Sequence, residues 1–227
     1  MNQSTTDNTT AKPERSEVSL TDKAYLALEE LIVTLQLPPG EALSEAILAK
    51  RLNIGRTPVR EALHRLAREN LVVILPRRGI LVAEFNIRSQ LKMLEVRREI
   101  ERLIARSAAE RASTAERQQF RELAIALRQA AADNDDLRFM RLDQDFNRYT
   151  ARAARNEFAS TTMALMGGLS RRFWFMHHQH INDMPLAAEY HAAVAEAIAQ
   201  GDSEAAVQAS DKLLDYIEHI TRAAMDW

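Results

Sequence analysis

The sequence predicts a mainly α protein built as an N-terminal winged helix-turn-helix followed by a C-terminal all-α helical bundle. Three observations carry that expectation. Ala, Leu, Glu and Arg are frequent in a chain of 227 residues with only 6 Gly and 6 Pro, a bias that favours helix over sheet. Helical periodicity is interrupted by two β-favouring runs between Leu71 and Val82 and resumes after Asn86. Positive charge gathers ahead of and within that interruption. From Lys50 to Arg78 eight Lys and Arg stand against two Glu, a local +6 in a chain whose formal net charge is −2. A nucleic-acid partner therefore rests on a local patch and not on global charge.

Residues 1–17 are rich in Thr, Asn and Ser and lack an apolar core, which fits a disordered tail and neither a signal peptide nor a membrane span. Thr21 can cap a first helix from Asp22 to Leu35. Its Ala24, Leu26, Leu28, Leu31, Ile32 and Leu35 form a wide buried face, and Pro38-Pro39-Gly40 stops it. Ser44 caps a second helix, Glu45 to Leu52, with Ile47, Leu48 and Leu52 inward. Asn53-Ile54-Gly55 is a tight turn. A third helix begins at Gly55 or Arg56, because Pro58 is tolerated only in a first turn. Val59, Ala62, Leu63 and Leu66 share its apolar side, while Thr57, Arg60, His64 and Arg68 share the other, with Arg56 at the entrance. Two short helices joined by so brief a turn, after a longer one, make the helix-turn-helix pattern. A helix that presents arginines from its N-terminal end suits a DNA major groove.

The runs Leu71–Leu75 and Ile80–Val82 flank Pro76-Arg77-Arg78-Gly79 and form a hairpin with a basic tip, the wing. Gly79 lets its backbone come close to a phosphate or the minor groove. Residues 18–85 thus form the DNA-binding domain, with the +6 patch supplying phosphate neutralisation.

Residues 86–227 hold six helices near 87–111, 115–132, 137–154, 157–181, 185–200 and 203–224. Thr114, Asp136 and Asp202 serve as caps, Gly201 as a stop, and Gly167-Gly168 as a kink in the fourth. Polar residues interrupt apolar stripes on four of them. Arg97 lies with Met93, Ile100 and Ile104; Asp143 and Asn147 lie among Phe139, Phe146 and Thr150. Arg172 and His180 share a side with Leu169, Phe173 and Met176; His191 lies on the row of Ala187, Ala195 and Ile198. A charge among core positions must be paired, hydrated or awaiting a ligand. Four such helices in one bundle imply a cavity between them.

Absence of cysteine removes disulfides, thiolate metal sites and cysteine nucleophiles. It fits a reducing compartment, and no apolar run approaches the roughly 20 residues of a membrane helix, so the expected location is the cytoplasm. Asp143 and His191 could form an acid–base pair, but no nucleophile, phosphate loop or complete metal set accompanies them. The chain is not expected to be an enzyme.

Leu43-Ser44-Glu45, Leu48-Ala49, the run from Arg56 to Leu63, Leu66 and the wing from Arg77 to Val82 resemble the GntR superfamily of bacterial transcription factors, over about residues 20 to 85. The resemblance implies that Arg56 and Arg60 read bases, with Thr57 nearby and Gly79 at the minor groove. Ser44, His64, Arg77 and Arg78 complete the expected DNA-facing set. Two positions depart from the pattern of the FadR branch. Many of its members carry Arg where this chain has Ala46, and Ser or Thr where it has Gly55. An interaction with DNA from each is expected to be missing, moving operator preference away from the branch's short GT…AC palindrome.

Glu95-Val96-Arg97, Asp143-x-x-Phe146, Asn156, and His191 leading to Ile198 and Gly201-Asp202 resemble that branch's ligand-binding domain, of the FCD type, and six helices resemble its VanR-like subset. In many members a divalent metal is held by an Asp, a His four residues later, a His at the place of His191 and another in the last helix. This chain keeps Asp143 and His191 but has Asn147 and Leu213 at the other places. Leucine cannot ligate a metal, and an amide oxygen is a poor partner for zinc or nickel beside imidazole. The expectation is a protein with no required cofactor, a divalent metal at Asp143 and His191 being the alternative, with rescue by His177, His178 or His180. The resemblance further implies a homodimeric repressor on a palindromic operator. Its effector is expected to be carboxylate-bearing and held by Arg97, Asp143, Asn147, Arg172, His180 and His191, with Arg97 and Arg172 gripping the carboxylate. A constitutive DNA-binding regulator with a vestigial pocket is the competing expectation.

Overall fold

The computed structural model describes residues 18–181 and 183–226, without the side chains of 178–181 and 226. The expected tail, residues 1–17, lies outside the described residues. The winged helix comprises α1 (Leu20–Val33), β1 (Ala42–Leu43), α2 (Glu45–Leu52), α3 (Arg56–Arg68), β2 (Val72–Leu75) and β3 (Gly79–Val82). The bundle comprises α4 (Ile87–Arg111), α5 (Thr114–Ala132), α6 (Asp136–Ala153), α7 (Glu157–Ile181), α8 (Met184–Gln200) and α9 (Ser203–Ala223), with a closing 3-10 turn.

Caps fix the helix starts, and three lie one or two residues ahead of the residues expected to cap. Ser19, not Thr21, caps α1, its hydroxyl accepting from the Asp22 N–H at 3.0 Å; Thr21 instead donates to Glu61 on α3 at 2.7 Å. Ser113, not Thr114, caps α5 through a reciprocal capping box with Glu116. Asp135, not Asp136, caps α6. Asp202 caps α9, and Gly201 ends α8 at φ 80°.

The antiparallel sheet runs in the order β1-β3-β2. Leu75 pairs with Gly79 across the wing, and Ala42–Leu43 adds the third strand against Ile80 and Leu81. Ala24, Leu28 and Ile32 of α1 meet Val59, Leu63 and Leu66 of α3 in the winged-helix core. Two expected core residues face outward: Ile47 is 68% exposed and Leu26 42%. A second apolar cluster fills the bundle, where α4 packs along α9 and α5 along α8.

Helix α7 joins the two cores. Its helical span continues through Gly167 and Gly168. A Cβ on Gly168 would lie 2.6 Å from Leu71 Cδ1 and 3.1 Å from Glu29 Oε1, so glycine here permits close packing on the winged helix. Leu169 packs on the winged-helix core, Arg172 donates to the Ala83 carbonyl, and Phe173 stacks on Phe85 with centroids 5.5 Å apart. The segment between wing and bundle is thereby fastened to the middle of α7.

Candidate nucleic-acid interface and bundle cavity

Helix α3 owes its orientation to Val59, Ala62, Leu63 and Leu66, which are wholly buried. Their burial turns Arg56, Thr57, Arg60 and His64 to the exposed side. Arg60 grips Glu45 at the start of α2 through two hydrogen bonds, Nε to Oε1 at 2.9 Å and Nη2 to Oε2 at 2.7 Å. The Arg60 hydrogen bond, helped by the charges of Arg60, Arg56 and His64, holds the Glu45 carboxyl below its ordinary range. An exposed pair of this kind adds little stability. It does preorient the guanidinium fork, and a phosphate or a guanine edge offers the same acceptor geometry.

Ser44 is the N-cap residue of α2, yet its side chain makes no capping hydrogen bond. Arg77, Arg78 and Gly79 are exposed at the wing tip. Gly79 adopts φ +106°, which side-chain-bearing residues rarely take, and nothing lies within 4 Å of where its Cβ would be. The wing tip is open to close approach.

The second site is a small cavity of about 40 Å³ inside the bundle. Phe139, Phe173 and Trp174 line its apolar wall, and Arg97, Asp143, Arg171 and His191 supply its charge. His191 Nε2 lies 2.9 Å from Asp143 Oδ1, and its Nδ1 lies 2.7 Å from the Ala187 carbonyl oxygen. Burial pushes the Asp143 carboxyl up, but the His191 hydrogen bond and the charges of His191, Arg171 and Arg97 outweigh it, and the net displacement is downward. Arg97, 4% exposed, pairs through Nε with Glu101 one turn along α4.

The expected effector residues divide. Arg97, Asp143 and His191 converge on the cavity. Asn147 stands one turn away, donating to the Asp143 carbonyl at 2.9 Å and its carboxylate at 3.1 Å while lining a smaller neighbouring cavity with Glu101. Arg172 is not on the cavity. It is 1% exposed at the junction, where Nη1 donates to the Ala83 carbonyl at 2.7 Å and burial holds its pKa below the usual arginine value. The side chain of His180 lies outside the described residues.

The donors among the described residues do not fit a divalent metal. Among the described residues no three His, Asp or Glu side chains come together as a ligand set. Leu213 is buried and apolar, and Asn147 turns an N–H toward Asp143.

A winged helix presenting arginines from an exposed helix, joined to a helical bundle with a charged cavity, is the architecture of a DNA-binding regulator of transcription. The chain belongs to the GntR family of bacterial regulatory proteins, whose model matches residues 20–82, in the FadR branch that carries an FCD domain, here residues 92–216. It is 27% identical over 202 residues, 87% of each chain, to the HTH-type transcriptional repressor RspR of Escherichia coli K12. It is 30% identical over 179 residues, 78% of this chain and 75% of the relative, to an HTH-type transcriptional regulator in an unstable DNA locus of Streptomyces ambofaciens. Its fold is similar to that of E. coli McbR/YncC, with a TM-score of 0.78 over 92% of this chain and 100% of that one at 22% identity. No helix among the described residues is long and apolar enough to cross a membrane.

Sequence reasoning missed Arg171. Its neighbour Arg172 fits the apolar row of Leu169, Phe173 and Met176, but that row meets the winged helix as well as the bundle. The available signal was the three-residue spacing from Arg171 to Trp174, which both line the cavity.

Proposed function

We propose that the chain is an effector-responsive repressor that binds a palindromic operator as a cytoplasmic homodimer and answers to a small carboxylate in the bundle cavity. On this reading residues 18–85 bind DNA, through Ser44, Arg56, Thr57, Arg60, His64, Arg77, Arg78 and Gly79. Residues 86–227 sense the effector and dimerise, in the six-helix, VanR-like form. Two copies of α3 would enter successive major grooves, about 34–36 Å apart. The observation that carries the effector reading is the convergence of Arg97, Asp143 and His191 on one aromatic-walled cavity. Repression by the relative RspR supports the direction of control.

The test starts from an operator selected out of random-sequence DNA. Arg60→Ala should weaken specific binding by about 1–3 kcal/mol while leaving binding to random DNA unchanged; unchanged discrimination would remove Arg60 from the reading set. Complete pairing of the cavity's charges favours a second reading, a constitutive regulator with a vestigial pocket. It requires that no small acid alter operator affinity.

A further inference from the structure

Glu29 is a carboxylate of the DNA-binding domain that is held by the other domain. It lies on α1, 2% exposed. Its hydrogen-bonding partners among the described residues are Arg171 of α7, through Nη2, and Gln144 of α6, whose amide donates at 2.6 Å. Inside its own domain it faces repulsion: its charge helps to raise the pKa of both Tyr25 and Glu69. A buried carboxylate stripped of its cation is strongly unfavourable. The packing of α1 on α7 therefore depends on Arg171.

Arg171 also borders the effector cavity. It is 8% exposed and helps to line both the cavity and the interdomain cleft on the side of Glu29. The other basic side chains of the cavity are engaged within the bundle, Arg97 by Glu101 and His191 by Asp143. Arg171 differs because its carboxylate partner belongs to the DNA-binding domain.

We propose that Arg171 grips the effector's carboxylate and in doing so gives up Glu29, so that one guanidinium exchanges an interdomain partner for a ligand. This rests on the reading of the cavity as an effector site. The guanidinium fork suits a bidentate carboxylate, and the Phe139, Phe173 and Trp174 wall suits an apolar body, for which the cavity of about 40 Å³ widens as Arg171 leaves Glu29. Releasing Glu29 leaves it with Gln144 alone, loosens α1 from α7 and frees the winged helix to reorient. The effector then has the differential affinity that coupling requires, because it binds best where Arg171 is free of Glu29.

The test uses the full chain, with Trp174 fluorescence for binding and electrophoretic mobility for operator affinity. Benzoate, hexanoate and succinate are titrated, with benzamide as the neutral match for benzoate. At least one carboxylate should bind wild type saturably, and benzoate should bind at least tenfold more tightly than benzamide. Arg171→Gln should weaken carboxylate binding at least tenfold, and Arg171→Lys by less. Glu29→Gln should tighten it severalfold, because the competing carboxylate is gone, and should set operator affinity near that of effector-saturated wild type. A merely structural pair would not tighten ligand binding. Failure of all three carboxylates to bind wild type overturns the cavity reading and the proposal with it. Wild-type binding that survives Arg171→Gln within twofold leaves the cavity reading standing and overturns the role of Arg171. Weakened or unchanged binding in Glu29→Gln overturns the exchange.

Discussion

Glu69, the residue that ends α3, is buried and has its carboxylate committed on two sides. The Tyr25 hydroxyl donates to it at 2.8 Å and Arg65 Nε at 3.3 Å, while the Arg65 guanidinium lies 3.6 Å over the Tyr25 ring. Burial, joined by the Glu29 charge, raises the Glu69 pKa against the opposing Tyr25 and Arg65 interactions. The folded protein thus holds this proton more tightly than the unfolded chain. The group's contribution to stability is complete below the unfolded value of about 4.3 and is lost as pH rises through the raised folded value. Glu69→Gln keeps an acceptor for Tyr25 and abolishes the buried charge. Its unfolding midpoint relative to wild type should climb as pH rises above the ordinary carboxylate value of about 4.3, measured by circular dichroism; a flat difference would show that the ionised carboxylate costs nothing here. None of this was visible from the sequence, where Glu69 registers only as one of two anions in a basic stretch. The exposed arginines of α3 were legible because their placement follows from the 3.6-residue period alone. A buried acid depends on groups 40 or more residues away, here Tyr25.

At the scale of elements, α7 shows why periodicity finds helices more readily than it finds their roles. Its span was legible from Glu157 to Ile181. The meaning of Gly167-Gly168 was not, since a helical glycine can mark a bend or a close approach, and only the partner element decides. Substituting each glycine separates the two. Alanine improves helix propensity by about 1 kcal/mol at either site. At Gly167 the new methyl meets the far end of Arg171 at 3.2 Å, a milder approach that a shift of a few tenths of an ångström relieves without breaking the Arg171–Glu29 pair, so Gly167→Ala should be close to neutral. At Gly168 it meets fully buried Leu71 at 2.6 Å and Glu29 at 3.1 Å, neither with room to retreat. Overpacking of that kind costs about 1–3 kcal/mol, so Gly168→Ala should be net destabilising and should separate α1 from α7. Denaturant unfolding and hydrogen exchange on α1 would read both; equal behaviour of the two variants would refute the close-packing role. The strand β1 was illegible for a related reason. Two residues carry no period, and Ala42 and Leu43 are strand only because β3 supplies partners. The displaced caps of α1, α5 and α6 each had another capping residue one or two positions away, a choice that local geometry settles.

At the scale of the whole molecule, charge is divided as the work is divided. With +6 between Lys50 and Arg78 in a chain of net −2, the remainder carries −8, so a polyanion is attracted to one face and repelled by the rest. Within the patch the arginines are not equivalent. Arg60 is preoriented by Glu45, whereas Arg77 and Arg78 at the wing have no ion-pair partner among the described residues. A guanidinium held in a fixed fork suits base edges, and a free one at a hairpin tip suits phosphates, which neutralise charge without carrying sequence information. Replacing Arg77 and Arg78 together by alanine should therefore weaken operator and random DNA by the same factor. It should also flatten the slope of log affinity against log salt by about 0.9 for each phosphate left without a cation. Arg60→Ala should do the reverse, eroding discrimination with less effect on the common salt slope. Competition binding at four or more salt concentrations would distinguish them. If the wing variant lost operator affinity selectively while its slope stayed unchanged, the wing would be a reader of sequence, and the division of labour between α3 and the hairpin would have to be redrawn.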